Sequence, residues 1–179
     1  MNENQIINLL KQFVIEQKEP LELILVGALA LPFYGVEFRI TYDLGAEVET
    51  GNLEKLYFFL KEKGFESDLS ENIAGWNVIT LPSGYKKRAK VVYQDNLLTL
   101  KILSPEDFII MKLRRGTNQD IQDALAVAKK QSVKLETLDK LYEKVLKESI
   151  KDTALFNFKK IYQVFRDLLK EKLEKSDFN

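Results

Sequence analysis

At 179 residues the chain is long enough for one core, or one core with a helical appendage, and too short for two ordinary domains. It has no cysteine and no histidine, which excludes disulfides, thiolate and imidazole metal sites, cysteine nucleophiles and the serine-histidine-aspartate triad, so any chemistry rests on carboxylates, lysine, arginine, tyrosine or serine. Lysine plus arginine equals aspartate plus glutamate at 27 each, which leaves no excess positive charge for general nucleic-acid binding, and no apolar run approaches the ~20 residues that cross a bilayer.

The first residues, Met1 to Gln17, place Ile6, Leu10, Phe13 and Val14 on one helical face instead of an apolar block after a basic one, so a cytoplasmic protein without a secretory signal is expected. Abundant lysine and glutamate without cysteine also fit a thermophilic source. After Glu19-Pro20, Leu21 to Val26 reads as a buried strand, and Gly27 leads into a short helix from Ala28 to Tyr34 closed by Gly35.

From Ile40 to Glu49 the alternation is strict. Ile40, Tyr42, Leu44, Ala46 and Val48 point one way and Thr41, Asp43, Gly45, Glu47 and Glu49 the other, which predicts a strand with one buried and one acidic, exposed face. Gly51-Asn52 turns the chain into a helix from Leu53 to Lys63, and three further strands are expected at Trp76 to Leu81, Ala89 to Tyr93 and Leu97 to Leu103.

Ser104-Pro105-Glu106-Asp107 is a helix start, with Ser as N-cap, Pro at the first helical position and acids in the first turn. Beyond it the pattern is helical throughout. Thr117 caps a helix with Ile121, Ala124, Leu125 and Ala128; Leu135, Leu138, Leu141, Tyr142 and Val145 make the next stripe; Leu155, Phe158, Tyr162, Phe165, Leu168 and Leu169 make the last. An α+β core over residues 1–103 is therefore expected, followed by a helical region over 104–179 that packs on the core, the last stripe meeting the preceding helices or a second chain.

Four groups of residues bear on chemistry. Gly27, between strand and helix, reads either as a tight turn or as a place where a phosphate approaches the backbone. Carboxylates at alternate strand positions lie ~7 Å apart and converge on divalent ions, but the position two after Asp43 is Gly45, and Glu47 lies ~13 Å away along the strand. Lys112, with Arg114, Arg115, Asp120 and Asp123, reads as an interhelical ion pair or a phosphate contact. Lys86, Lys87, Arg88 and Lys90 read as a solvated turn and strand end, or as a surface for a polyanion.

Val26-Gly27-x-x-Ala30, then Tyr34-Gly35, Arg39-x-Thr41-x-Asp43-Leu44, Leu103-Ser-Pro-Glu-Asp-x-x-x-x-Lys112-Leu113 and Asp120-x-x-Asp123, taken in order, resemble the minimal nucleotidyltransferase-like proteins of prokaryotes. The run Gly84-Tyr85-Lys86-Lys87-Arg88 is similar to a Gly-Tyr-x-x-Arg motif in one branch of them, and relatives include abortive-infection toxins of toxin-antitoxin pairs. The resemblance covers roughly residues 20 to 130.

It implies a DNA polymerase β-like fold that binds a nucleoside triphosphate with Mg²⁺ and transfers a nucleoside monophosphate to a hydroxyl group. By the same likeness Gly27, Ala28, Arg39 and Thr41 belong with the nucleotide, Asp43 supplies a metal ligand, and Lys112 lies near the triphosphate or stabilises the helical half. Three departures stand out: Gly45 replaces the second aspartate, Ala28 follows the loop glycine, and Ala89 to Tyr93 offers no third acid. The expectation is a nucleotide-binding member with transfer impaired or lost; the alternatives are an active Mg²⁺-dependent enzyme in which Glu47 or water replaces the lost ligand, and a non-catalytic protein-interaction module of a toxin-antitoxin pair.

Overall fold

An unbroken apolar run such as Leu21–Val26 needs cover on both faces, and it forms β1, the central strand of a five-stranded sheet with five of its six positions buried. The computed structural model describes residues 1–36 and 43–176. The chain forms two compact units, one made of Met1–Ile73 and Lys86–Leu103, the other of Ala74–Tyr85 and the chain from Ser104 onward.

In the first unit, α1 (Glu3–Gln17) begins with a capping box between Asn2 and Gln5 and buries Ile6, Leu9, Leu10, Phe13 and Val14. Gly27 follows β1 with φ 75°, and Ala28–Tyr34 forms a 3-10 helix ended by Gly35 in the left-handed region. β2 (Asp43–Thr50) pairs antiparallel with β1, and α2 (Leu53–Glu62) carries the chain to β3 (Glu66–Ser70), parallel to β2. The one-turn helix α3 (Tyr85–Arg88) spans the boundary between the units and precedes β4 (Lys90–Gln94) and β5 (Leu98–Ile102), an antiparallel pair. With β5 parallel to β1, the sheet order is β3-β2-β1-β5-β4. Phe13 of α1 and Phe59 of α2 meet edge to face at 5.4 Å, which locks the two helices together.

β3 was not expected. Its sequence, Glu-Ser-Asp-Leu-Ser, has low strand propensity, and pairing with β2 along its whole length supplies what propensity does not. The residues expected at the start of the β2 strand, Ile40 to Tyr42, lie outside those described.

In the second unit, α4 (Pro105–Arg115) starts on the Ser104 cap, α5 (Asn118–Lys130) on a Thr117–Asp120 capping box, and α6 (Leu135–Glu148) and α7 (Thr153–Ser176) follow. Leu155, Phe158, Tyr162, Phe165 and Leu169 are all buried, and α7 packs on α4 and α5. The expected contact of this stripe with preceding helices is thus present. The Tyr162 ring stacks on Tyr142 of α6 at 3.8 Å, and its hydroxyl donates to Asp139, which Arg166 also grips.

The strand expected at Trp76 to Leu81 is absent. Ile73–Trp76 is a 3-10 turn, and backbone groups that a ladder would have served are taken by side chains: the Ile79 N–H donates to Asn77, the Thr80 N–H to Ser149 Oγ, and the Ile79 carbonyl accepts from Arg114. Among the described residues no helix is long and apolar enough to cross a membrane.

Candidate functional site

The two strands that carry the motif run side by side in opposite directions, and their register sets Val26 across from Gly45. The β1 end with Gly27 therefore meets the start of β2 with Asp43. Among the described residues a Cβ built on Gly27 would find no atom within 4 Å, and φ there is positive, which favours glycine. The short helix expected after it is present as a seven-residue 3-10 segment. Ala28 starts it, half-buried. Arg39 and Thr41 lie outside the described residues.

Alternation along β2 puts Asp43, Gly45, Glu47 and Glu49 on one face. The expectation that this face is open and acidic holds only at its start. Asp43 is exposed, whereas Gly45 is buried and Glu47 is 0% exposed. Glu47 accepts the Ile73 N–H at 2.9 Å and pairs with the ammonium of Lys86. Glu49 shares Lys101 with Glu22, at 2.8 and 2.5 Å, and these two carboxylates, Glu22 first, raise the Lys101 pKa above its ordinary value. The alternation identified the face; it could not show that cations would be drawn onto it.

Asp43 opens on a cleft of about 460 Å³ lined also by Tyr57, Lys61, Phe65, Glu66 and Asp68. β3 registers Asp43 with Glu66 and Gly45 with Asp68, so both β3 acids share the Asp43 face. The sequence reading missed them. The only signal was a faint alternation of Phe65, Ser67 and Leu69 against Glu66, Asp68 and Ser70.

Magnesium demands near-octahedral oxygen ligands and is usually held by one or two carboxylates, with water and phosphate completing the shell. On the β2 face Asp43 alone is an exposed carboxylate, Glu47 is covered, and Glu49 is committed to Lys101. Among the described residues no group of three or more acids gathers to hold a metal ion. Among the described residues the β2 carboxylates alone do not make a two-ion centre, and the exposed Glu66 and Asp68 of β3 share the Asp43 face.

Lys112 lies in the helical unit, 3% exposed, with its Nζ 2.8 Å from Asp123 and 3.4 Å from Asp120. Arg115 adds a bidentate contact to Asp120, both distances 2.7 Å, and Thr117 Oγ1 donates to the same carboxylate. Burial works to raise the Asp120 pKa, but the Arg115 and Thr117 hydrogen bonds with the Lys112 charge outweigh it and hold the group at about 2. These contacts make Lys112 a fastener of α4 to α5, its ammonium engaged by two carboxylates. In the basic run, Lys86 pairs with Glu47 of β2, which the reading of a solvated turn did not foresee.

No curated protein and no solved structure matches the chain significantly. A family model described as nucleotidyltransferase of unknown function, DUF6036, matches residues 4–170 and so takes in both units. The mixed five-stranded sheet with its helices is the α+β fold expected of such a domain, and the chain belongs to this nucleotidyltransferase family.

Proposed function

We propose that the protein binds a nucleoside triphosphate weakly at the β1–β2 end of its sheet, and that nucleotidyl transfer is impaired or lost. The observation that carries this reading is Gly45. It occupies the strand position where a second carboxylate would share an ion with Asp43, and it faces Val26 across the ladder. One carboxylate with water ligands holds a reluctantly dehydrated ion poorly, so charge neutralisation and alignment of an attacking hydroxyl both suffer. The positive-φ glycine at position 27 supports the phosphate half of the reading.

Titration of the natural protein with a non-hydrolysable triphosphate, with and without Mg²⁺ or Mn²⁺, tests it. Weak binding that the metal improves by less than about tenfold is expected. Tight, metal-dependent binding with turnover contradicts it.

One observation favours an active enzyme instead: Asp68 stands beside Gly45 on the same sheet face and offers a carboxylate from the neighbouring strand. On that reading Asp68→Asn abolishes metal-dependent binding; on the preferred one it changes little. A role within a toxin-antitoxin pair would add a protein partner, which co-expression with the product of the adjacent gene would detect.

A further inference from the structure

Glu47 is a buried carboxylate on a central part of the sheet, where an aliphatic side chain would cost less to desolvate. Two of its contacts have a common feature. Ile73, whose N–H it accepts, is the last residue before the chain leaves the sheet unit, and Lys86, whose ammonium it pairs with, is the first residue after the chain returns.

Each neighbour across those boundaries is anchored in the other unit. Ala74, next to Ile73, gives its carbonyl to Arg114 of α4 at 3.3 Å. Tyr85, next to Lys86, is buried as part of the helical unit. Gly84, with φ 84°, supplies the left-handed turn just before it. Both places where the chain passes from one unit to the other therefore fall beside a residue that Glu47 holds. The Gly84-Tyr85-x-x-Arg88 run, which the nucleotide reading leaves unused, forms the second of them.

We propose that Glu47 is a latch: one carboxylate ties the outgoing crossing at Ile73 to the returning crossing at Lys86, and so fixes where residues 74–85 leave and rejoin the sheet unit. Glu47 is thereby a positioning residue for the crossover and does not replace the carboxylate missing at Gly45. The inference is independent of whether the protein binds nucleotide.

Native-state hydrogen exchange on the full chain tests it, because exchange resolves local from global opening. Glu47→Gln keeps an acceptor for the Ile73 N–H but removes the charge pair. It should speed exchange in residues 84–90 about fivefold or more, with a smaller effect at 71–76. Glu47→Leu, which removes both contacts, should loosen both segments alike. In each variant β1, β5, α5 and α7 should keep their natural rates. Adding Lys86→Met to Glu47→Gln should give no further increase, since the pair is already broken. Unchanged exchange in both segments, an equal rise throughout β1 and β5, or additive effects in the double variant would each overturn the latch. Should Glu47→Leu fail to fold, the pattern in Glu47→Gln and its double variant decides alone.

Discussion

On β2, Asp43, Glu47 and Glu49 each meet a different environment: open cleft, buried crossover and shared surface lysine. On α5, Asp120 and Asp123 instead share one buried lysine, and an arginine closes the set from outside. The helical cluster is denser in charge and closer to neutral, and so it serves stability. The strand set is sparse, and its only open member is the one placed beside Gly27. A site is therefore better sought where a charge remains accessible than where charges are most numerous.

The largest effect expected from breaking this contrast is in the helical cluster. Lys112→Met leaves two carboxylates in a buried place with less compensation and should cost about 3–5 kcal/mol, read as a drop in chemical-denaturation midpoint. Nucleotide binding per folded molecule should be unchanged, and a selective loss of binding would return Lys112 to the ligand.

Next comes Gly116, which ends α4 with φ 65° and whose Cβ would overlap the Ile161 side chain. Gly116→Ala should cost about 2–3 kcal/mol through strain and overpacking at the α4–α7 contact. A neutral result would show that α7 is free to shift there.

The acid limb of stability follows. The Asp120 carboxyl sits at about 2 in the folded state against an ordinary 3.8. A depressed carboxyl contributes stability above its unfolded pKa and loses it as pH falls through the folded value, so about 2 kcal/mol should disappear between roughly pH 4 and pH 2. Asp120→Asn should flatten the unfolding free energy across that window, and an unaltered slope would place the acid sensitivity elsewhere. Smallest is the effect of Asp43→Ala on stability, under about 0.5 kcal/mol because the residue is exposed, measured by the same denaturation. A large loss would make Asp43 a structural residue instead of a site residue.

Much of the architecture was legible in short-range chemistry. The Ser104-Pro105 start of α4, the Thr117 cap of α5, the buried run of β1 and the α7 stripe are all local signals, and each element formed where they stand. What failed depended on distant partners. The polar β3 strand exists because β2 offers it a ladder, and the Trp76 to Leu81 strand does not because Arg114, Ser149 and Asn77 serve its backbone first. The site was half legible. Alternation placed Asp43 and Gly45 on one face, but the burial of Glu47 needed Lys86 and Ile73, 39 and 26 residues away in sequence, and the nearness of Asp68 needed the unforeseen β3 pairing.

The proposed loss at the metal site is tested most directly by restoring the side chain. Gly45 does not have a positive φ, and a Cβ there would meet Val26 Cγ2 at 3.1 Å, so Val26 must give way by a few tenths of an ångström to admit the first atom of a new side chain. Calorimetric titration of this variant with a non-hydrolysable triphosphate and Mg²⁺ should show binding at least about tenfold tighter than the natural protein's, and adding Asp43→Ala should abolish the gain because the two carboxylates act as one ligand set. A folded Gly45→Asp protein that binds no better, or whose gain survives Asp43→Ala, would contradict the proposal.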